Sequence, residues 1–250
     1  MFAYLKLLRL ILLTPELNTK GYSTIMKKLL IISAILVFST SGAFAKNGKT
    51  PMWIGLGGGY SNGLGGNIEF SWFNISRSIP LSVHFSVGYF HQDDPGNAIE
   101  ARKVFINDGT AGNDNIIESG YNIFLRLDLS YQVYRKKGLT ISPYLGVAHD
   151  RYLAHFDYQG GNEAFDVASN PWGVGAGARF SISPSRNLML SLILGAEYFF
   201  PTQIKAHGTF YNPNGEDDSP RNDYTYSDAD DAIEQPNWNG RFVLTLSFRI

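Results

Sequence analysis

Two short stretches of this sequence place histidine beside groups that could support catalysis. His84 precedes Ser86 by two residues, and His91 precedes Asp93 and Asp94. A histidine held near a carboxylate can act as a general base, and a histidine near a serine can activate the hydroxyl for nucleophilic attack. Whether either group can meet a substrate depends on the elements that carry these residues.

A second group of residues that could carry a function consists of charged residues that recur at alternate positions within otherwise apolar stretches. The set consists of Glu69, Arg126, Asp128, Asp150, Arg179, Glu197 and Arg241. Charges spaced in this way either face water or must be paired with one another inside the protein, since a buried unpaired charge is very costly.

Metal and cofactor motifs are not found in the sequence. The chain has no cysteine, which excludes disulfides and cysteine-ligated metals. Residues 216–234 are acidic but do not have the spacing of a calcium-binding EF-hand loop, so we interpret them as a solvated, mobile loop. The glycine-rich stretch 56–66 is not followed by a helical pattern, so it is not a nucleotide-binding fingerprint. We therefore predict no metal, no cofactor-binding residue and no catalytic residue.

The N-terminus predicts export. Residues 26–45 read MKKLLIISAILVFSTSGAFA, with two lysines, an apolar run and an Ala-x-Ala end. These are the three parts of a cleaved secretory signal peptide, and the apolar run is too short to span a membrane. We expect residues 1–25 to be a non-native extension from an upstream start, and residues 46–250 to form the mature domain.

Charge and composition narrow the function further. The chain has 21 Lys and Arg against 22 Asp and Glu, and the excess of acids grows once residues 1–45 are removed. This balance gives no electrostatic basis for binding nucleic acid. Glycine is frequent, since it accounts for 26 of the 250 residues, whereas its typical share is only about 7%.

Alternation of apolar and polar residues is the dominant pattern, and it is typical of strands with one apolar face. In 81–90, for example, apolar side chains occupy the odd positions, with Ser, His and Gly between them. Eight segments fit this template: 52–60, 67–75, 81–90, 121–134, 139–151, 172–182, 188–200 and 238–250.

The connections between these segments alternate between short and long, except that the first, at 61–66, is also short. Short polar turns follow the second, fourth and sixth strands, whereas long polar loops cover about 91–118, 155–170 and 201–237. Short turns at one end and long loops at the other are typical of outer-membrane barrels. The segments are also long enough to cross a bilayer at a tilt. We therefore predict an all-β, eight-stranded antiparallel up-and-down transmembrane β-barrel. A soluble β-sandwich or lipocalin-like barrel is the alternative.

The C-terminal strand carries a family resemblance. Phe242, Leu244, Leu246, Phe248 and Ile250 alternate to the last residue, as in the terminal signal of small bacterial outer-membrane proteins of the OmpA, OmpX and OmpW type. That group usually ends in Phe, and this chain ends in Ile. The resemblance implies a Gram-negative-type cell envelope, periplasmic termini, external long loops and recognition of the last strand by the outer-membrane assembly machinery.

In such a barrel the charged set named above, together with His84 and Arg249, has the parity of the bore. An eight-stranded barrel is only wide enough for its own side chains, so we predict a salt-bridged plug in which Glu197 pairs with Arg241. A narrow small-solute channel gated by these charges is the alternative.

The histidines are then poorly placed for catalysis. The pair His84 and Ser86 resembles the His-x-Ser pair of lipid A deacylases, but it faces the bore near the short turns. His91 lies at the outer rim, and His149 faces lipid. We predict that the protein is not an enzyme and has a structural or adhesin-like role through its external loops. The expected partners are membrane lipid and lipopolysaccharide, with the protein itself a monomer. A narrow channel and a lipid A-modifying enzyme are the alternatives.

Overall fold

The computed structural model describes residues 52–75, 79–92, 94–106, 115–159, 162–218, 223–235 and 237–250. The predicted extension 1–25 and signal peptide 26–45 lie outside this part of the chain. The strands are β1 (Met52–Ser61), β2 (Leu64–Trp72), β3 (Leu81–Gln92), β4 (Asn115–Tyr131), β5 (Tyr134–Lys136), β6 (Leu139–Gln159), β7 (Asn162–Ser169), β8 (Trp172–Ser185), β9 (Leu188–Phe199), β10 (Ile204–Ala206), β11 (Thr209–Tyr211) and β12 (Trp238–Arg249). The helices are α1 (Ala98–Phe105) and α2 (Tyr226–Asp231).

Eight of the strands close into an antiparallel barrel, which confirms the predicted fold. The order around the barrel is β1, β2, β3, β4, β6, β8, β9 and β12. The barrel closes between β12 and β1, where Phe248 lies opposite Ile54 and Phe242 opposite Tyr60. Closure gives every strand a partner on both sides, as backbone groups in a membrane require.

The two faces of the barrel differ in chemistry. Apolar side chains project outward and stay exposed, as shown by Leu56 at 63% and Leu145 at 69%. Most side chains that point inward are small, polar or charged and are buried, including Ser71, Ser86 and Thr245. A buried apolar cluster lies among them, formed by Phe90, Phe124, Tyr144, Ile193 and Val243. An apolar exterior around a polar interior is the arrangement of a barrel surrounded by lipid.

Close approach of backbones explains two of the glycines. Gly59 of β1 lies opposite Gly65 of β2. A Cβ atom on Gly59 would collide with the backbone of Phe242, and one on Gly65 with the backbone of Tyr89. Glycine is therefore required at these two positions in the outer half of the barrel, where β1 passes close to β12 and β2 passes close to β3.

Gly65→Ala is expected to destabilise the barrel by about 1–3 kcal/mol, because backbone atoms must move to admit the methyl group. Gly58→Ala is the matched control, since the nearest atom to its added Cβ is 3.6 Å away. Urea unfolding of both variants in detergent, followed by tryptophan fluorescence, measures the difference. Equal unfolding midpoints for the two variants would contradict the requirement.

The tryptophan side chains of the described strands divide into an exposed pair and a buried pair. Trp172 and Trp238 are exposed on the outer surface at 59% and 75%, as girdle residues should be. Trp53 and Trp72 are buried at 7% and 6%, so they do not belong to such a girdle. Trp53 has the same parity as the inward-facing Gly55, and its ring contacts Phe73 edge-on at 6.3 Å near the short-turn end.

Two barrel strands extend well beyond the predicted limits. β4 begins at Asn115 and β6 ends at Gln159, and the two pair as far as Asn115 and Gln159. β7 continues the sheet beside β6, and β10 and β11 follow. The prediction of long polar loops at 91–118, 155–170 and 201–237 is therefore wrong for the residues there that lie in strands or helices, which are most of those described in the first two ranges. We call this extended sheet, with the helices packed on it, the head.

The side of β6 that carries apolar residues changes where the head begins. Inside the barrel, Leu145 and Val147 at odd positions face outward. From Tyr152 onward the even positions, including Phe156, are apolar and buried. Because the apolar face switches sides near Asp150, a search for one continuous alternation ends the strand too early.

The head has its own hydrophobic core. Sixteen buried residues form it: Ala98, Ala101, Val104, Phe105, Tyr152, Ala154, Phe156, Tyr158, Phe165, Val167, Ile204, Ala206, Tyr211, Ala229, Ala232 and Ile233. Three of them lie within 216–234, so the interpretation of that stretch as a solvated, mobile loop is wrong for its described C-terminal part. No helix in the described ranges is both long and apolar enough to span a bilayer.

Local capping explains why such short helices form. The Asn97 side chain accepts hydrogen bonds from the backbone amides of Ile99 and Glu100 at the start of α1. Thr225 and Asp228 form a reciprocal capping box at the start of α2. These bonds satisfy amides that a helix N-terminus would otherwise leave without partners.

Thr225→Ala is expected to weaken α2 by about 1 kcal/mol and to raise the pKa of Asp228. Hydrogen bonds from the Thr225 hydroxyl and backbone amide hold that pKa below its usual range. The stabilisation is therefore present above the unfolded-state pKa of about 4 and is lost as pH falls through the lower folded-state value. Carboxyl ¹³C shifts against pH measure the change. Thr225→Ser, which keeps the hydroxyl, should leave the pKa low, and a similar rise in both variants would contradict the capping explanation.

Candidate functional site: the bore and the head

The seven charged residues predicted for the bore all point into the barrel. Each is buried, with an exposure of 1% for Glu69 and no more than 4% for any of the others. Strands from every part of the barrel contribute, namely β2, β4, β6, β8, β9 and β12. Arg249, which has the same parity, is exposed at the end of β12, so its predicted place in the bore is wrong.

Glu69 and Arg179 form an ion pair across the bore. Arg179 donates from Nη1 and Nη2 to the two carboxylate oxygens, at 2.7 and 2.6 Å. The Ser71 hydroxyl donates to Glu69 at 2.9 Å and lies 2.8 Å from Nδ1 of His84. Since the only hydroxyl proton of Ser71 goes to Glu69, Nδ1 of His84 must carry a proton and donate to Ser71.

A second ion-pair group is centred on Arg126. Its Nε donates to Asp128 at 2.7 Å, and its Nη1 contacts Glu197. Asp128 also accepts from Arg241 at 3.2 Å. The predicted Glu197–Arg241 pair is therefore wrong: the register places Glu197 opposite Asn239, two residues from Arg241. The two residues are offset because Leu188, at the start of β9, lies opposite Phe248 rather than Ile250.

A small cavity lies beside the second group, on the side of the head. Asn122 and Asp150 line one side, and Ser61, Asn239 and Phe199 line the other. Arg126, Arg241, Glu197 and Phe124 complete the wall. Its free space suffices for about one water molecule. The two ion-pair groups and this small cavity occupy neighbouring parts of the bore.

The histidines that were considered as catalytic candidates lie in different parts of the protein. His84 and Ser86 are buried in the bore at 1% and 2%, where no external substrate reaches them. His91 is exposed at the outer end of β3, but Asp93 lies outside the described residues. His149 stacks on Trp172, with ring centroids 4.6 Å apart. No cluster of three or more possible metal ligands occurs among His, Asp and Glu in the described ranges.

Tyrosine hydroxyls fix α1 and its flanking chain to the head sheet. Tyr158 donates to the carbonyl of Ala98 at 2.5 Å, and Tyr211 donates to the carbonyl of Val104 at 2.9 Å. Tyr152 donates to the carbonyl of Pro95, just before the helix. Sequence reasoning missed these residues, although the apolar alternation at 152, 154, 156 and 158 is a usable signal.

The outward face of the head sheet is open to solvent and carries polar side chains together with Ile117, which is 47% exposed. His155 of β6 lies between Ser119 of β4 and Asp166 of β7 in the register of the sheet. Its Nδ1 is 2.6 Å from the Asp166 carboxylate, with both side chains substantially exposed. An exposed pair of this kind contributes little stability, so this face is a surface rather than part of the core.

Comparison with solved structures supports the architecture. The chain superimposes on a major outer membrane protein from Thermus thermophilus with a TM-score of 0.64 and 24% identity, covering 81% of this chain and 100% of that one. Ail, the attachment invasion locus protein of Yersinia pestis, matches with a TM-score of 0.42 and 12% identity, over 80% of this chain and 97% of that one. The outer membrane protease OmpT from Escherichia coli matches at 0.38 and 7%, over 80% and 94%.

No family model matches the sequence, and no curated protein matches it. The closed barrel, its apolar exterior and its likeness to the Thermus protein define the class. The protein has the closed eight-stranded fold of the small outer-membrane β-barrels.

Proposed function

We propose that this protein is a surface-interaction protein, with a structural or adhesin-like role, that works through the head. The observation that carries the proposal is the apolar core of the head. A rigid binding surface loses less conformational entropy on binding than mobile loops do. Sixteen buried residues and three tyrosine hydroxyl bonds give the head such a surface beyond the bilayer.

The filled bore supports the same proposal. Two ion-pair groups lie in the described barrel interior, and the cavity beside the second group suffices for about one water molecule. An eight-stranded barrel is only wide enough for its own side chains. We infer that the barrel serves as an anchor and that the binding chemistry lies outside it.

Attachment of cells that display the protein tests this proposal. Cells carrying the full protein, and cells carrying a variant in which a tight turn replaces 152–169, are compared for attachment to cultured cells and to protein-coated surfaces. The barrel of the variant is checked by heat-modifiable gel migration. We expect attachment to require the head. Equal attachment by both strains, at equal surface density, would refute the proposal.

A narrow channel is the second candidate, favoured by the polar cavity in the outer half of the bore. Single-channel recording in planar bilayers separates the two candidates. We expect no steady conductance from the native protein. A steady conductance that changes in Glu197→Gln or Arg241→Gln would show that the bore conducts.

The partners follow from the same proposal. Lipopolysaccharide and membrane lipid surround the barrel, the assembly machinery reads the C-terminal strand, and the protein acts as a monomer without a cofactor. We propose no catalytic role, because the bore buries His84 and Ser86. Mass spectrometry of lipid A from cells with and without the protein tests this point, and a lipid A modification that depends on the protein would contradict it.

A further inference from the structure

Basic side chains collect at the end of the barrel that is opposite the head. The antiparallel strands bring the β5–β6 turn, the β8–β9 turn and the end of β12 to this end. These three places are neighbours, because β6, β8, β9 and β12 follow one another around the barrel. We call the exposed basic residues found there the basic rim: Arg135, Lys136, Lys137, Arg186 and Arg249.

No acidic residue of these strands offsets the basic rim. The structure describes in full the three stretches that carry the rim, and they contain no Asp or Glu: 129–149, 180–196 and 242–250. Asp128 precedes the first stretch and Glu197 follows the second, but both are buried in the bore and contact Arg126. The rim is therefore a surface of one sign, and it fits an anionic partner.

The position of Lys136 relates the rim to the lipid-facing surface. Lys136 lies opposite Leu139, and Leu139 lies opposite Ile182 of β8. Residues paired in this way share one face of the sheet, and Ile182 is 44% exposed on the outward face. The side chain of Lys136 therefore begins at the last row of outward apolar residues. A lysine placed there extends its stem along apolar surface and carries its ammonium group to the headgroups.

An aromatic residue marks the same boundary. Tyr134 lies opposite Ile141, which puts it on the outward face together with Lys136. It is 43% exposed. Tyrosine is enriched where the hydrocarbon core of a bilayer meets the headgroups, so this residue supports the height assigned to the rim.

Local backbone geometry holds the basic groups together. Lys137 and Gly138 have positive φ values of 50° and 84°, as in the tight type I′ turn that connects two antiparallel strands. This turn keeps Lys136 and Lys137 side by side at the tip of the hairpin. The backbone amide of Arg249 donates to the carbonyl of Asn187 at 3.1 Å, which joins the end of β12 to the turn that carries Arg186.

We propose that the basic rim binds anionic phospholipid headgroups, so that the barrel selects anionic over neutral lipid in the leaflet at its short-turn end. Each Lys or Arg close to an anionic membrane surface adds to the attraction, which fades within a Debye length. A soluble acidic partner is the alternative, but the place of Lys136 beside outward apolar residues favours lipid. The proposal narrows the membrane-lipid partner named above. It rests on insertion of the barrel into a bilayer, and not on the role of the head.

Lipid selectivity of the reconstituted protein tests the proposal. The native protein is placed in phosphatidylcholine vesicles with a trace of spin-labelled phosphatidylglycerol or spin-labelled phosphatidylcholine. Electron paramagnetic resonance then measures the fraction of each label that the protein restricts. At low ionic strength we expect the anionic label to be preferred about twofold, averaged over the boundary lipids. The preference should fall towards one when salt shortens the Debye length to about 3 Å.

Two double variants locate the preference. Lys136→Gln/Lys137→Asn should lose at least half of it, and asparagine is chosen for residue 137 because it tolerates a positive φ. Lys103→Gln/Lys205→Gln removes the same charge from the head and should keep the native preference. If the rim variant does not fold, Arg186→Gln/Arg249→Gln takes its place, with the same expected loss.

Three results would overturn the proposal. Equal restriction of both labels by the native protein would leave the rim to a soluble anionic partner. A native preference in the rim variant would show that other residues select the lipid. An equal loss in the rim and head variants would assign the preference to net charge. If neither label is restricted at all, insertion of the barrel into the bilayer is wrong as well, whereas a failed attachment experiment concerns the head alone.

Discussion

Replacing Arg179 with Met is expected to destabilise the folded barrel by about 3–5 kcal/mol, because Glu69 would be left buried without its partner. Arg179 donates two hydrogen bonds to Glu69, and both residues are almost fully buried. The variant should unfold at a lower urea concentration in liposomes, as measured by tryptophan fluorescence and by loss of heat-modifiable migration.

Two further variants separate the loss of the pair from the loss of a long side chain. Arg249→Met makes the same change at an exposed position and should shift the midpoint very little. The double variant Glu69→Leu/Arg179→Met removes both charges and should recover most of the stability, because apolar replacement of a buried ion pair is often neutral. A double variant as unstable as Arg179→Met would show that the cost does not come from the unpaired carboxylate.

Replacing Phe156 with Ala is expected to lower the local stability of the head by about 3–5 kcal/mol, because it leaves a cavity in the head core. Phe156 is fully buried and lies opposite Phe165, with ring centroids 5.5 Å apart. Hydrogen exchange should accelerate in β7 and in the part of β6 beyond Asp150. Exchange in β9 and β12 should remain as in the native protein.

Ile117→Ala is the matched control, because Ile117 lies on the outward face of the head sheet at 47% exposure. It should leave exchange in β7 nearly unchanged. Uniform acceleration throughout the barrel in Phe156→Ala would contradict the view that the head folds on its own core. The attachment proposed for the protein should fall in Phe156→Ala and persist in Ile117→Ala.

The barrel could be predicted from sequence because lipid imposes a simple rule on each strand. Outward positions must be apolar, so residues such as Leu125, Leu127 and Leu129 mark the face directly. Burial of the charged residues followed from the same parity. Which charges pair could not be predicted, because partners across a bore depend on stagger and side-chain length. Glu69 reaches Arg179, which lies on a strand that is not its neighbour.

The head could not be predicted by the same rule. The face of its sheet that continues the polar wall of the bore is apolar. The alternation of apolar and polar residues therefore continues into the head, but the apolar residues change from the outward-facing positions to the inward-facing ones. The long polar connections also hid two short helices. Three of the six buried positions in these helices are alanines, namely Ala98, Ala101 and Ala229, which give a weak hydrophobic signal.

The reversal along β6 has a mechanical consequence. A displacement of the protein along the membrane normal by the length of two residues, about 7 Å, would have one of two effects. In one direction it would move polar side chains on the outward face of the head into the hydrocarbon core. In the other direction it would move a ring of leucine and valine side chains into water. Either displacement is opposed by transfer free energy around the whole circumference. The depth of insertion of the barrel in the bilayer is therefore fixed, and the head stays at a constant height above the lipid.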